Sequence, residues 1–147
     1  MILQNTQIIL KKRPDTIVTE SLFSKVNNNT RKLNESELLV EVKYVSIDPA
    51  MRGWISDVGN YSQPVGINET MRSLGVGKII FSKNRYFKKD EYVVGWLGWQ
   101  KYSIVKEEDV QIKVNSEEIP ITANLGVLGL NGITAYAGLV YKCNPLE

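Results

Sequence analysis

Histidine is absent from all 147 residues, and cysteine occurs once, as Cys143. A Ser-His-Asp triad or a histidine proton relay is therefore impossible within the chain. The Cys and His sets that dominate zinc sites cannot be assembled either, so no metal site is expected. One cluster remains that could do chemistry. Asp48, Pro49, Met51 and Arg52 follow a strand-like run, and a strand end that gives way to a helix start projects side chains and backbone amides into a cleft. The plainer alternative is structural, with Asp48 as a helix cap and Arg52 as the partner of a nearby carboxylate. Further on, Asn131 and Thr134 read from the residues alone as caps of a helix start. Tyr61, Leu74 and Trp99 are candidate walls of an apolar pocket, with core packing as their plainer alternative.

Three other patterns carry less. Gly75-Val76-Gly77-Lys78 lacks the four-residue spacer and the following Ser or Thr of a phosphate loop, and it sits inside a strand-like run. Gly126, Gly129 and Gly132 do not have the spacing of a dinucleotide fingerprint. Lys11-Lys12-Arg13 and Lys88-Lys89 read as solvated turns, and nothing places a base or cation beside Cys143 to make it reactive.

The elements that must position these residues read mostly as strands. Residues 7–11 are apolar and β-branched, 17–23 form a looser extended piece, and 26–32 read as a polar surface loop. Residues 37–47 give the clearest strand, expected to be central. Asp48 and Pro49 end it and open a short helix, Asp as N-cap and Pro in the first turn. A long polar loop over 56–68 follows, then strands over 75–81, 92–96 and 99–105, spaced as in a partly closed barrel. The stretch Asn115-Ser116-Glu117-Glu118 reads as a helix start, and small residues over 123–138 read as helix. The final Leu146-Glu147 resembles a cloning remnant, which suggests an excised piece.

Composition sets the class. With 43% apolar and 23% charged residues the chain is ordinary for one globular domain, here taken as 1–147. A net charge of +2, with 18 basic residues against 16 acidic ones, argues against a nucleic-acid partner. No apolar run approaches the roughly 20 residues that span a bilayer, and the N-terminus lacks a basic signal-peptide region. No membrane association and a cytoplasmic location are therefore expected, in keeping with the lone cysteine.

Three stretches together resemble one family. Val45-Ser46-Ile47-Asp48-Pro49-Ala50-Met51-Arg52-Gly53 is similar to a Ser-x-Asp-Pro-Tyr-Met-Arg segment. Val93-Val94-Gly95-Trp96-Leu97-Gly98-Trp99-Gln100-Lys101-Tyr102 is similar to Val-x-Gly-x-x-Gly-Trp-x-x-Tyr. Leu125-Gly126-Val127-Leu128-Gly129-Leu130-Asn131-Gly132-Ile133-Thr134-Ala135-Tyr136-Ala137-Gly138-Leu139 is similar to Leu-Gly-x-x-Gly-x-x-Gly-x-Thr-Ala-Tyr-x-Gly-Leu. All three belong to the zinc-independent branch of the medium-chain dehydrogenase/reductase superfamily that holds alkenal double-bond reductases, prostaglandin reductases and curcumin-reductase-like proteins. Their order and spacing agree with that branch, and the resemblance runs from Thr6 to Tyr141.

The resemblance implies a mainly β fold with short helices, a GroES-like partly open β-barrel on the substrate side, lacking the C-terminal Rossmann domain. It implies NADPH as cofactor, bound mainly by the missing domain, with no zinc. The reaction it implies is hydride transfer to the C=C bond of an α,β-unsaturated ketone or aldehyde, or to a quinone. Such a reaction needs positioning and enolate stabilisation and no acid-base dyad, which suits dispersed ionisable groups. On this reading Met51, Arg52, Asn131, Ile133 and Thr134 approach the cofactor, with Thr134 at its nicotinamide end. Asp48, Pro49, Tyr61, Leu74 and Trp99 approach the substrate, and no residue acts as a catalytic acid, base or nucleophile. The piece alone is expected to be inactive, and the full-length protein to be a homodimer. Two departures stand out. Ala50 replaces the family tyrosine, which implies a wider or differently shaped pocket, and Asp90-Glu91 replaces the usual Gly-Asp. The competing function is a stand-alone GroES-like barrel acting as a binding or assembly module.

Overall fold

β-branched and aromatic runs bounded by turn residues give seven strands in the computed structural model, which describes residues 1–57, 62–115, 118–143 and 145. They are β1 (Gln4–Leu10), β2 (Phe23–Asn29), β3 (Leu38–Val45), β4 (Leu74–Ser82), β5 (Tyr92–Trp96), β6 (Tyr102–Val105) and β7 (Val110–Val114). Two short helices complete the frame, α1 (Met51–Trp54) and α2 (Leu130–Tyr136), the latter continuing with π-helical spacing over Ala137–Cys143.

The strands make an antiparallel β1-β2 pair and a five-stranded antiparallel sheet in the order β6-β3-β4-β5-β7. The free side of β1 joins the two. Single bridges pair Gln7 with Gln100 and Ile9 with Thr70. Ile8 donates its N–H to Trp99 and accepts from Met71, both at 2.8 Å. The result is the partly open barrel with short helices expected from the sequence, its two sheets linked by isolated bridges rather than by a continuous ladder. The buried Asn5 fastens β1 to β6: its Nδ2 donates to the Tyr102 carbonyl at 2.8 Å, and its Oδ1 accepts the Tyr102 N–H at 2.8 Å.

Two apolar cores result. One gathers Leu38, Val40, Ile79, Val93, Leu97 and Val105 inside the sheet; the other gathers Leu10, Leu22, Met51, Trp54, Ile55, Val65 and Met71 beneath α1. β3 lies inside the sheet, as expected, and Leu38, Leu39 and Val40 are all fully buried, so its first half buries both faces. Close backbone approach fixes the β3–β4 pair: a Cβ on Gly77 would lie 2.5 Å from Val40 Cγ1 and 2.6 Å from the Glu41 carbonyl oxygen. Gly98, at φ 69°, supplies the left-handed turn that carries the chain from β5 into Trp99. Asp90, where the resembled family has glycine, is itself left-handed at φ 75°, and its carboxylate is 2.8 Å from Lys78 Nζ.

The structure corrects several element readings. The expected polar loop over 26–32 begins inside β2, because Val26, Asn27, Asn28 and Asn29 pair with β1 while the asparagine side chains stay exposed. The extended piece over 17–23 is a single 3-10 turn, Glu20–Leu22, preceded by exposed Ile17 and Val18. Asp48 does not cap α1: the N-cap is Ala50 without a side-chain bond, and the Asp48 carboxylate instead accepts the Ser46 hydroxyl at 2.6 Å. The strand expected from Trp99 begins only at Tyr102, since residues 99–101 bridge to β1. β7 is an addition to the reading. Ser116 and Glu117, in the expected helix start, lie outside the described residues, and the next helical turn is Ile121–Leu125. Among the described residues no helix is long and apolar enough to cross a membrane.

Candidate functional site

Register brings one end of the sheet together around the strand-to-helix junction. β4 opens with Leu74 opposite Trp96, the last residue of β5, and Val94 pairs with Ile112 of β7. β3 ends beside this edge, Val45 opposite Gly75, so the segment 46–50 and α1 pass over it. Period-two alternation puts Val94 and Trp96 on one face. The cavity formed there has a volume of about 450 Å³. Leu74, Val94, Trp96 and Ile112 line its sheet side, and Asp48, Pro49, Ala50 and Trp54 line the side of α1. Asn124, Leu125 and the start of α2, Gly129 to Asn131, make the third side.

The walls are mostly apolar, as ligand cavities are. Trp54 is buried beneath them, with the Arg72 guanidinium 4.8 Å from its ring centroid and the Trp96 ring in a T-shaped arrangement with it, centroids 5.8 Å apart. Arg72 is held in turn by Ser62 Oγ and the Gln63 carbonyl, each accepting at 2.8 Å. The polar groups are few. Asp48 is fixed by Ser46, and Asn124 donates to the Ile121 carbonyl at 3.2 Å. Gln111 and Asn131 make no side-chain hydrogen bond among the described residues, which leaves two amides able to meet a ligand carbonyl. Among the described residues no three His, Cys, Asp or Glu side chains gather as a metal-binding group.

The residues singled out in the sequence separate. Asp48, Pro49, Leu74 and Asn131 meet on this cavity. Met51 sits one residue beyond its wall, buried in the core with Trp54 and Ile55. Arg52 is exposed and donates to the Thr16 carbonyl at 3.1 Å, with no carboxylate partner among the described residues. Ile133 and Thr134 stand exposed on α2, and the Thr134 hydroxyl donates to the Leu130 carbonyl at 2.7 Å. Trp99 lies elsewhere: it packs on Phe23, ring centroids 5.5 Å apart, and lines a separate shallow groove with Tyr44 and Lys101. Tyr61 lies outside the described residues. The reading missed Trp54, Trp96 and Gln111. Trp96 was reachable, because alternation from the buried Val94 sends it to the same face.

A second feature upstream fixes the start of β3. The side chain of Glu37 is 4% exposed and receives both Arg31 Nη1 at 2.6 Å and Arg31 Nη2 at 2.8 Å, with the Asn34 N–H at 2.8 Å. Hydrogen bonding by Arg31 outweighs the opposing effect of burial, and the carboxyl is pulled down to about 2.

Comparison with known proteins agrees with this architecture. Residues 6–113 match a family described as the N-terminal domain of oxidoreductase. The chain is 32% identical over 144 residues to the NADPH-dependent curcumin reductase of Escherichia coli, covering 98% of this chain and 41% of that protein. It is 32% identical over 146 residues to the NADP(+)-dependent 2-alkenal reductase of Nicotiana tabacum, covering 96% and 42%. The crystal structure of CurA in complex with NADPH from Vibrio vulnificus superposes with a TM-score of 0.84 at 34% identity, over 97% of this chain and 42% of that one. The chain thus spans about two fifths of the length of these relatives. With the match running through β1 to β7 and the fold shared at that similarity, the chain belongs to the family of N-terminal domains of oxidoreductases.

Proposed function

We propose that the chain, 1–147, is the substrate-side domain of an NADPH-dependent oxidoreductase. The proposed reaction reduces the C=C bond of α,β-unsaturated ketones or aldehydes, or a quinone, by hydride transfer without a metal. The observation that carries this reading is the cavity that joins Asp48, Pro49 and Leu74 of the β framework to Asn131 of α2. Its apolar walls would hold a flat unsaturated skeleton and exclude water. Gln111 would donate to the carbonyl oxygen, drawing electron density from the β-carbon and stabilising the enolate as it forms. Asp48, oriented by Ser46, would fix the polar edge of the cleft.

The residues present fit one end of NADPH only. Asn131, on the cavity edge with an uncommitted amide, could meet a carboxamide or ribose. Thr134 has its proton engaged by Leu130 and could still accept a hydrogen bond, Ile133 offers an exposed apolar face, and the exposed Arg52 and buried Met51 flank the junction. When bound, NADPH supplies the hydride equivalent. Its remainder would be held by a Rossmann domain beyond this chain. The end of the chain supports that arrangement: Leu130, Ile133 and Tyr136 of α2, and Leu139 and Tyr141 of its π-helical continuation, are all exposed apolar side chains. A cytoplasmic homodimer completes the proposal.

The test is NADPH consumption, followed by absorbance, with enones, enals and quinones. The full-length protein should turn over at least one class, and this chain alone none. A folded full-length protein inert toward all three would reject the reading, as would turnover by the chain alone.

A further inference from the structure

The aromatic side chains around the cavity differ in how much surface is already taken. Trp54 is buried, with Arg72 above its ring and Trp96 against it at an interplanar angle of 72°. It has little left to offer a ligand. Trp96 lines the same cavity yet is 38% exposed. Its place is fixed by backbone rather than by loop: it closes β5 opposite Leu74, and the next residue, Leu97, donates its N–H to Gly95 at 2.9 Å. An indole anchored on one side by a buried indole, and open on the other, is a preorganised surface for a flat ring.

The opposite features of the cavity agree. Ala50 is the smallest side chain on the α1 side and leaves width beside the indole. The two uncommitted amides, Gln111 and Asn131, lie on the β7 and α2 sides. A ligand with a ring at one end and a carbonyl at the other would satisfy both kinds of wall. An alkyl chain of equal size would bury similar area but forgo the ring-on-ring geometry.

We propose that Trp96 is a specificity-determining residue that selects planar, aryl-conjugated carbonyl compounds over alkyl enones of the same size. This rests on reading the cavity as the substrate site of a carbonyl-compound reductase.

The test uses this chain without NADPH, so that binding alone is read. Exposed Cys143 is replaced, Cys143→Ser, to prevent thiol addition. Titration calorimetry compares benzalacetone with a straight-chain enone of equal non-hydrogen atom count. Benzalacetone should bind about five- to tenfold more tightly. Trp96→Leu should bring that ratio close to one, with the alkyl affinity little changed, and Trp96→Phe should keep most of it. A ratio near one in the unaltered side chain, or a ratio that survives Trp96→Leu, overturns the proposal. Should Trp96→Leu fail to fold, the indole N–H resonance of Trp96 decides: a shift with benzalacetone supports the assignment and none overturns it. NADPH turnover separates the two readings. Enone reduction without aryl preference removes only the selector, whereas Trp96-dependent aryl binding in a full-length protein that never consumes NADPH removes only the reductase reading.

Discussion

Glu37→Gln isolates a charge that anchors the strand leading into the site. The carboxyl lies at about 2, against an ordinary 4.5, because Arg31 grips it bidentately and the Asn34 N–H adds a third bond, while burial opposes. A shift of that size corresponds to roughly 3 kcal/mol if fully realised. The Arg31 side of the pair is 54% exposed, so solvent screening reduces the expected cost to about 2 kcal/mol. The sign follows from the depressed folded value. Stability from the ionised group is fully present above the unfolded value and is lost as pH falls from 4.5 toward about 2. Urea denaturation of both proteins between about pH 7 and about pH 3 is the assay, with equal m-values required for comparison. The gap should be about 2 kcal/mol at neutral pH and should narrow steadily in acid. A gap that stays constant across that range would refute the electrostatic account and leave only shape.

Other substitutions address the frame. Asn5→Ala strands the Tyr102 N–H and carbonyl that its side chain satisfies, and should cost about 2 kcal/mol in denaturant unfolding. Gly77→Ala drives a methyl into Val40 and the Glu41 carbonyl, and should lower stability by about 1–3 kcal/mol, read by the same method. Asp90→Gly relieves a left-handed backbone but removes the contact with Lys78, so the melting temperature should rise more in high salt, where that ion pair is already screened, than in low salt.

Much of the frame was legible because its signals are local. β3, β4 and β5 follow from β-branched runs, and the junction at Asp48-Pro49 follows from a polar residue and proline after a long apolar strand. What was not legible depends on partners distant in sequence. Asn27, Asn28 and Asn29 look like loop, yet β1 supplies their backbone hydrogen bonds, and pairing overrides propensity. β7 alternates Val110, Ile112 and Val114 with the exposed Gln111 and Lys113, a strand signal present in the sequence but only five residues long. At the cavity, Asp48, Pro49, Leu74 and Asn131 were singled out in the sequence. Gln111 was not, because its role exists only once β7 pairs with β5. Trp99 reads as a pocket residue by type, but the turn at Gly98 swings it toward Phe23 and β1.

The third side of the cavity rests on α2, a helix with no buried side chain. An element held by so few tertiary contacts opens and recloses at low free-energy cost, and its amides should exchange hydrogen far faster than those of β3. Whatever occupies the cavity must first quiet that helix, so any contact that steadies α2 from outside would raise affinity inside without touching the ligand.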